Sequence, residues 1–539
     1  MMKISRWRAL PLAAGVLAGV SLLAAPGASA AAHAPSRSFL LPGNLLVSRS
    51  VYTARPGLIV PGTTVLPPGC TTGCAVATAS GAYPRVFNNV LVDPAFGVTS
   101  PVFLDQLTPS GHLLSTVPVP SHGGLVTSFS SKSELALNLS TSGRAVSLMG
   151  YAAAPGTIDV SNANTPGVID PTNPVPGADF RVAAVLDGLG RFGFTESNAY
   201  SGDNGRAAIL NDSRGANVLY ASGNAGNGSN PQPDGVITGA GEQILAPSGR
   251  PESAQRPGAP APVGSFSVTQ LGDKADKVGK DTNFRGLTIF NNVLYTTKGS
   301  GSNGVNTVYF IDTTGKACPN GVGLPQPGAK LPASPIAFDP AQLQAKGVFP
   351  DNMCILAGFP TALKSATSFP FGLWFANATT LYVADEGTGD NTFSTASGSY
   401  TAAAAQTTAG LQKWVLRDGS WKLAYTLSAG LHLGAPYTVK GYPTGDNAAT
   451  GLPWSPATDG LRNITGRVNP NGTATIWGIT STVSGGGDQG ADPNRLVAVT
   501  DRLAAAAAPA ESFATVRAAG FGEVLRGVSL TPGTVSLRR

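Results

Sequence analysis

The chain has 539 residues, with 36 Lys and Arg against 30 Asp and Glu, giving a formal net charge of +6. Charged residues make up 12%, about half the usual share of a soluble domain, while 68 Gly and 43 Pro supply turns throughout. No basic run with interleaved aromatics occurs, which argues against a nucleic-acid partner, and no long amphipathic stretch occurs, which argues against a helical architecture.

Residues 1–30 read as a signal peptide: Met1–Arg8 is basic, Ala9–Ala25 is apolar, and Ala28-Ser29-Ala30 is a small-residue cleavage site. Residues 31–37 form a flexible tail and 38–539 a single domain. No later segment is long and apolar enough to span a bilayer, so the mature chain is expected to be secreted, extracellular or associated with the periplasm or cell envelope, and monomeric. The cysteines agree with export. Cys70 with Cys74 and Cys318 with Cys354 each close a local loop, and these two disulfides are favoured among the three possible pairings.

A spare hairpin opens the domain, Leu45–Tyr52 with Leu58–Val65. Then a phrase recurs, an acidic residue followed by Arg and an apolar run: Asp203…Arg206, Asp281…Arg285, Asp459…Arg462 and Glu523…Arg526. Aligned on it, seven strand starts appear, at Val86, Leu135, Ala207, Gly286, Gly372, Asn463 and Gly527. Most lead into a tight turn and a second strand, as in Gly286–Phe290, Asn291-Asn292 and Val293–Thr297. Second hairpins follow, such as Arg181–Leu186 with Arg191–Thr195 and Leu411–Leu416 with Trp421–Thr426. The pattern predicts an all-β β-propeller of seven blades, each with four antiparallel strands. Its C-terminal unit, Gly527–Leu530 and Thr534–Leu537, pairs with the spare N-terminal hairpin to close the ring. Separate β-sandwiches in a row are the alternative.

Loop lengths are asymmetric. Turns between first and second and between third and fourth strands are short, whereas 151–179, 221–262, 272–284, 386–409, 430–460 and 483–494 are long. The long connections share one face, where binding and catalysis concentrate.

Arg206, Arg285, Arg462 and Arg526, joined by Arg85, start inner strands at that face and are candidates for an anion-binding ring, since the guanidinium fork matches carboxylate or phosphate. Pairing of each Arg with its upstream acid, as a staple between blades, is the structural alternative. The loop carboxylates Asp385, Glu386, Asp390, Asp488 and Asp492 are candidate ligands for Ca²⁺, which takes six to eight oxygens, or else cap ordinary turns. His432 and Trp454, in the 430–460 segment with Tyr437 and Tyr442, suit stacking on a sugar or folding of the loop on itself. Of the four histidines only His122 and His432 fall on the elaborated face, and no Ser-His-Asp arrangement or nucleophile elbow can be assembled.

The stretches Asn211–Asp234, Phe371–Asp390 and Thr480–Asn494 resemble a family of secreted bacterial proteins over nearly the whole mature chain. That family has no established activity, so the resemblance implies no catalytic residues. More loosely the blades are similar to extracellular propellers of the NHL, gluconolactonase-like and phytase-like groups, whose metal ligands find no match here. Two functions therefore stand side by side. One is a secreted binding protein for an anionic or carbohydrate-like ligand, a small molecule or a polysaccharide. The other is a Ca²⁺-assisted extracellular hydrolase or lyase of esterase, lactonase or phytase type.

Overall fold

A computed structural model describes residues 39–52, 60, 62–66, 75–76, 98–129, 134–169, 173, 175, 177–224, 242–247, 264–266, 283–299, 305–318, 320–332, 353–362, 368–448, 450–486, 489–508 and 510–534. The signal peptide, the 31–37 tail, Cys70, Cys74, Arg85, Val86, Asp281 and Asp488 lie outside them.

The blade strands follow in chain order. The first three, β1 (Leu45–Val51), β2 (Val102–Leu107) and β3 (Leu113–Pro118), belong to blade 1. Blade 2 holds β4 (Asn138–Leu139), β5 (Ala145–Tyr151), β6 (Arg181–Asp187) and β7 (Phe192–Ser197). Blade 3 holds β8 (Gly205–Asn211), β9 (Val218–Gly223), β10 (Glu242–Leu245) and β11 (Gly264–Phe266). Blade 4 holds β12 (Phe284–Phe290), β13 (Val293–Lys298), β14 (Thr307–Ile311) and β15 (Met353–Leu356), with the short strand Val322–Gly323 added in parallel at its edge. Blade 5 holds β16 (Pro370–Asn377), β17 (Thr380–Asp385), β18 (Gly410–Arg417) and β19 (Ser420–Leu427). Blade 6 holds β20 (Ala457–Val468), β21 (Thr473–Val483), β22 (Arg495–Arg502) and β23 (Ala514–Ala518). The last strand, β24 (Glu523–Leu530), returns to blade 1 as its innermost strand, giving the order β24-β1-β2-β3.

The propeller therefore has six blades, not seven. Ahead of Leu135 the described strands form two small two-stranded sheets, Val65–Leu66 with Ala75–Val76 and Thr99–Ser100 with Thr127–Ser128, and the closing blade, which takes three strands from the N-terminal side and one from the C-terminal side. The expected two-plus-two closure counted one blade too many. Closure itself is antiparallel and runs from Leu45 opposite Leu530 to Val51 opposite Glu523.

Most inner and middle strands are buried on both faces, because each blade is sandwiched between two others. Thr307–Ile311 and Val218–Gly223 are buried throughout. The core is correspondingly a set of layers between blades. Leu46, Val102 and Leu104 of blade 1 pack on Val146, Leu148 and Val182 of blade 2. On its other side, Leu45, Val47 and Leu107 meet Trp477, Ile479 and Leu496 of blade 6. Near the axis the inner strands nearly touch. A Cβ on Gly286 would lie 1.9 Å from the Phe371 carbonyl oxygen, and one on Gly372 would lie 2.6 Å from that of Arg462. Only glycine permits that approach.

The long connections between second and third strands share one end of the axis, the loop face, with the blade-to-blade crossings. The opposite turn face is not uniformly trimmed, contrary to expectation. In blade 4 the third-to-fourth connection runs from Asp312 to 352 and is tied to β15 by the Cys318–Cys354 disulfide, while the short strand Val322–Gly323 adds to the blade's edge. That disulfide is compatible with an extracellular protein. Among the described residues no helix is long and apolar enough to cross a membrane.

Candidate functional site at the loop face of the axis

Every arginine of the recurring phrase sits at the same irregularity. The pairing of inner strand with second strand slips between Gly205 and Ala207, between Phe284 and Leu287, and between Leu461 and Ile464. In blade 1 it slips across Ser48 and Arg49, which face Gly527 and Leu525. Arg206, Arg285, Arg462 and Arg526 are thus bulge residues, left out of the ladder where a bulge re-aims a side chain. Blade 5 has the same slip between Pro370 and Leu373, and Phe371 stands where the others have Arg. Leu135, with a positive φ of 69°, takes the place in blade 2.

The four guanidiniums form a collar beneath the loops, with 4 to 7% of each residue exposed. Arg285 Nη1 lies 2.9 Å from Glu386 Oε1 and Arg462 Nε lies 3.1 Å from Glu386 Oε2, so one carboxylate bridges two blades. It spans the position Phe371 fills, and the Arg285 guanidinium lies over that ring, 5.6 Å from its centroid. Arg526 donates through Nε to Ser50 Oγ at 3.3 Å and through Nη2 to the Phe129 carbonyl. Arg206 shares its surroundings with the buried pair Tyr151 and Glu134. The Tyr151 hydroxyl donates to Glu134 and lies 2.8 Å from Asn204 Oδ1. Burial, followed by the Glu134 charge, holds the Tyr151 phenol well above its usual range, so it serves as a donor and not as a nucleophile.

The upstream acids Glu523 and Asp459 take other partners. Glu523 pairs with Arg49 at 2.7 Å. The Asp203 carboxylate accepts from the Asn204 amide at 2.9 Å, while its backbone carbonyl accepts from the fully buried Arg181. Asp459 accepts from the Gly389 amide at 2.7 Å and from Gln406, and burial pushes its carboxyl up to about 7.

The other loop carboxylates are also engaged by protein donors. Asp385 accepts from Ser368 Oγ, the Phe369 and Gly387 amides and Gln412 Nε2, at 2.9 to 3.1 Å. Burial still pushes it up to about 6, against those bonds. Asp492 accepts the Tyr442 hydroxyl at 2.7 Å and is raised by burial to about 6. Asp390 is exposed and caps its own turn through Thr392, whose hydroxyl and amide hold it below the usual range. Among the described residues, three potential metal ligands come within reach of one another at Asp312, Cys318 and Cys354, where the cysteines are spent in the disulfide.

Trp454 is buried in a roof with Phe129, Tyr442, Ala491 and Val524, and so adjoins the Phe129 carbonyl that Arg526 holds. His432 is exposed, at a left-handed turn with φ of 53°. The roof is pinned by the Tyr437 hydroxyl on the Pro493 carbonyl at 2.8 Å and by the bridges Leu433–Thr458 and Pro436–Ala457. Glu134, Tyr151 and Arg181 were not singled out from the sequence. The one available signal was Glu134, an acid directly ahead of a strand start whose phrase lacks its Arg.

No protein-family model matches the chain, and no curated protein matches it. Among solved structures it is similar to an ulvan lyase of polysaccharide lyase family PL25 bound to GlcA(1-4)Rha3S, at 11% identity over 84% of this chain and 97% of that one, with a TM-score of 0.27. It is similar to the N-terminal domain of Nup159, at 9% identity over 84% of this chain and 100% of that one, with a TM-score of 0.24. A variant of the NanB sialidase from Streptococcus pneumoniae aligns at 10% identity over 92% of this chain and 79% of that one, with a TM-score of 0.21.

Proposed function

We propose that this is a secreted propeller that binds an anionic, carbohydrate-like ligand at the loop face of its axis. The observation that carries the reading is the collar itself: four arginines from four blades, each at the same inner-strand bulge, brought to one end of one axis. Here Arg285 and Arg462 share Glu386. The neighbouring Asp459, raised by burial to about 7, is only partly ionised at neutral pH and offsets the cations less than its number suggests. The low dielectric of a buried site strengthens attraction for an incoming anion, and the aromatic roof offers a surface for a sugar ring.

The test is titration calorimetry of oligouronides and their neutral counterparts, with circular dichroism to confirm the fold of each variant. Arg285→Ala combined with Arg462→Ala is expected to weaken uronide binding at least about a hundredfold, as loss of two charge-assisted contacts implies. Retained binding in the folded double variant overturns the reading. The same titration after EDTA treatment bears on the Ca²⁺-assisted alternative with Asp385, Glu386, Asp390, Asp488 and Asp492. Binding that survives chelation supports the collar, and binding restored only by Ca²⁺ transfers the function to those carboxylates.

A further inference from the structure

We propose that the opposite, turn-face mouth of the axis is a separate site for a small planar aromatic carboxylate. There the last residues of inner strands β12, β16, β20 and β24 enclose a cavity of about 400 Å³, within the range of small-molecule sites. Each inner strand carries the chain from one mouth to the other: Arg285 to Phe290 in β12 spans about 17 Å at the usual strand rise. The inference is thus independent of the loop-face reading.

The walls are aromatic and rigid. Phe290 and Phe375 line it and stack with centroids 4.6 Å apart and planes 9° apart, and Trp421, behind the lining, holds Phe375 edge-on at 5.9 Å. The Trp374 indole lies directly against the backbone of the neighbouring strand: a Cβ on Gly466 would come within 2.5 Å of its Cε3. Glycine at that position is what lets the ring lie flat there. The slot therefore offers flat apolar surface already in place, which lowers the ordering cost of binding a flat ligand.

One cation stands at the rim. Arg467 lines the cavity and is exposed. The ion pairs among the described residues leave it without a carboxylate. Its guanidinium is steadied over the Trp477 ring, 5.7 Å from the centroid. A guanidinium beside an aromatic slot selects an acid over its amide, through a two-pronged bond that the amide cannot match. Few hydroxyl partners line the slot, so an aromatic ring suits it better than a sugar.

The probes are 2-naphthoate, cinnamate and cinnamamide, titrated into the full chain and followed by calorimetry and tryptophan fluorescence. The acids are expected to bind and to change the fluorescence, and cinnamamide to bind about tenfold more weakly. Arg467→Gln, an exposed position, is expected to leave the unfolding temperature in place and to abolish the preference for acid over amide. Thr288→Trp, which narrows the cavity, is expected to exclude all three probes. Arg285→Ala with Arg462→Ala is expected to leave naphthoate binding intact. The proposal is overturned if the wild-type chain binds neither acid at millimolar concentration, if Arg467→Gln keeps the preference, or if the loop-face double variant removes the binding.

Discussion

Replacing Glu386 by Gln removes a single charge and almost no volume, yet it strikes two blades together. Its carboxylate is 2.9 Å from Arg285 and 3.1 Å from Arg462, and all three side chains are 10% exposed or less. The amide keeps one acceptor and turns a donor toward guanidiniums that have only donors. Removing one partner of a buried ion pair costs about 3–5 kcal/mol, because the surviving charge stays desolvated. The two pairs share one carboxylate, so their losses do not simply add. Unfolding entropy of about 2.1 cal/mol/K per residue, over the roughly 500 residues from Ser38 to Arg539, amounts to about 1 kcal/mol/K. The expected fall in unfolding temperature for Glu386→Gln is therefore about 3–5 °C by scanning calorimetry. A fall below about 1 °C would refute the bridging role, and with it the claim that the collar is held by this carboxylate.

Acidity provides a second measurement. Asp385 and Asp492 are raised to about 6, Asp459 to about 7 and Glu242 to about 8, all by burial. Between the ordinary carboxylate range near 4 and those values the folded chain holds more protons than the unfolded one, so stability falls as pH rises. Asp459 alone accounts for a loss on the order of 4 kcal/mol from pH 4 to pH 8. The carboxylates held low, Asp187, Asp312 and Asp390, act in the opposite sense but below that window. The unfolding temperature is expected to be higher at pH 5 than at pH 8, and a steady rise across that range would contradict the assignment. Third, Gly286→Ala forces the inner strands of blades 4 and 5 apart, since its Cβ would sit 1.9 Å from the Phe371 oxygen. A loss of roughly 3 kcal/mol is expected in denaturant unfolding, and a neutral outcome would show that the axis is looser than described.

The recurring phrase was a reliable guide to inner strands because its Arg and the small residue after it answer local needs, a bulge and a close backbone approach. Ala207, Gly286, Gly372, Asn463 and Gly527 all fall within inner strands, and Leu135 lies just ahead of its own. The number of blades was not legible. β1 pairs with β24 at the far end of the chain and with β2 across residues 52–101, and no local pattern specifies such partners. The same holds for the collar. Arg462 is visible as a repeat, but its counter-ion Glu386 arrives from another blade 76 residues away, while the nearby Asp459 turns to Gly389 and Gln406. The Cys318–Cys354 disulfide was legible because it closes one local excursion.

The innermost strand of blade 1 is synthesised after every other blade strand. Until Glu523–Leu530 emerges, β1 has one edge of unpaired amides and carbonyls facing the slot that β24 will fill. Five blades can be complete while the ring is still an open arc with an adhesive edge. The time between making blade 6 and docking the last strand is then the period in which two nascent chains can exchange that strand and become interlocked dimers. Whatever delays docking of Glu523–Leu530 lengthens that exposure, so yield of the closed ring is governed by how that strand is delivered, more than by the stability of the finished ring.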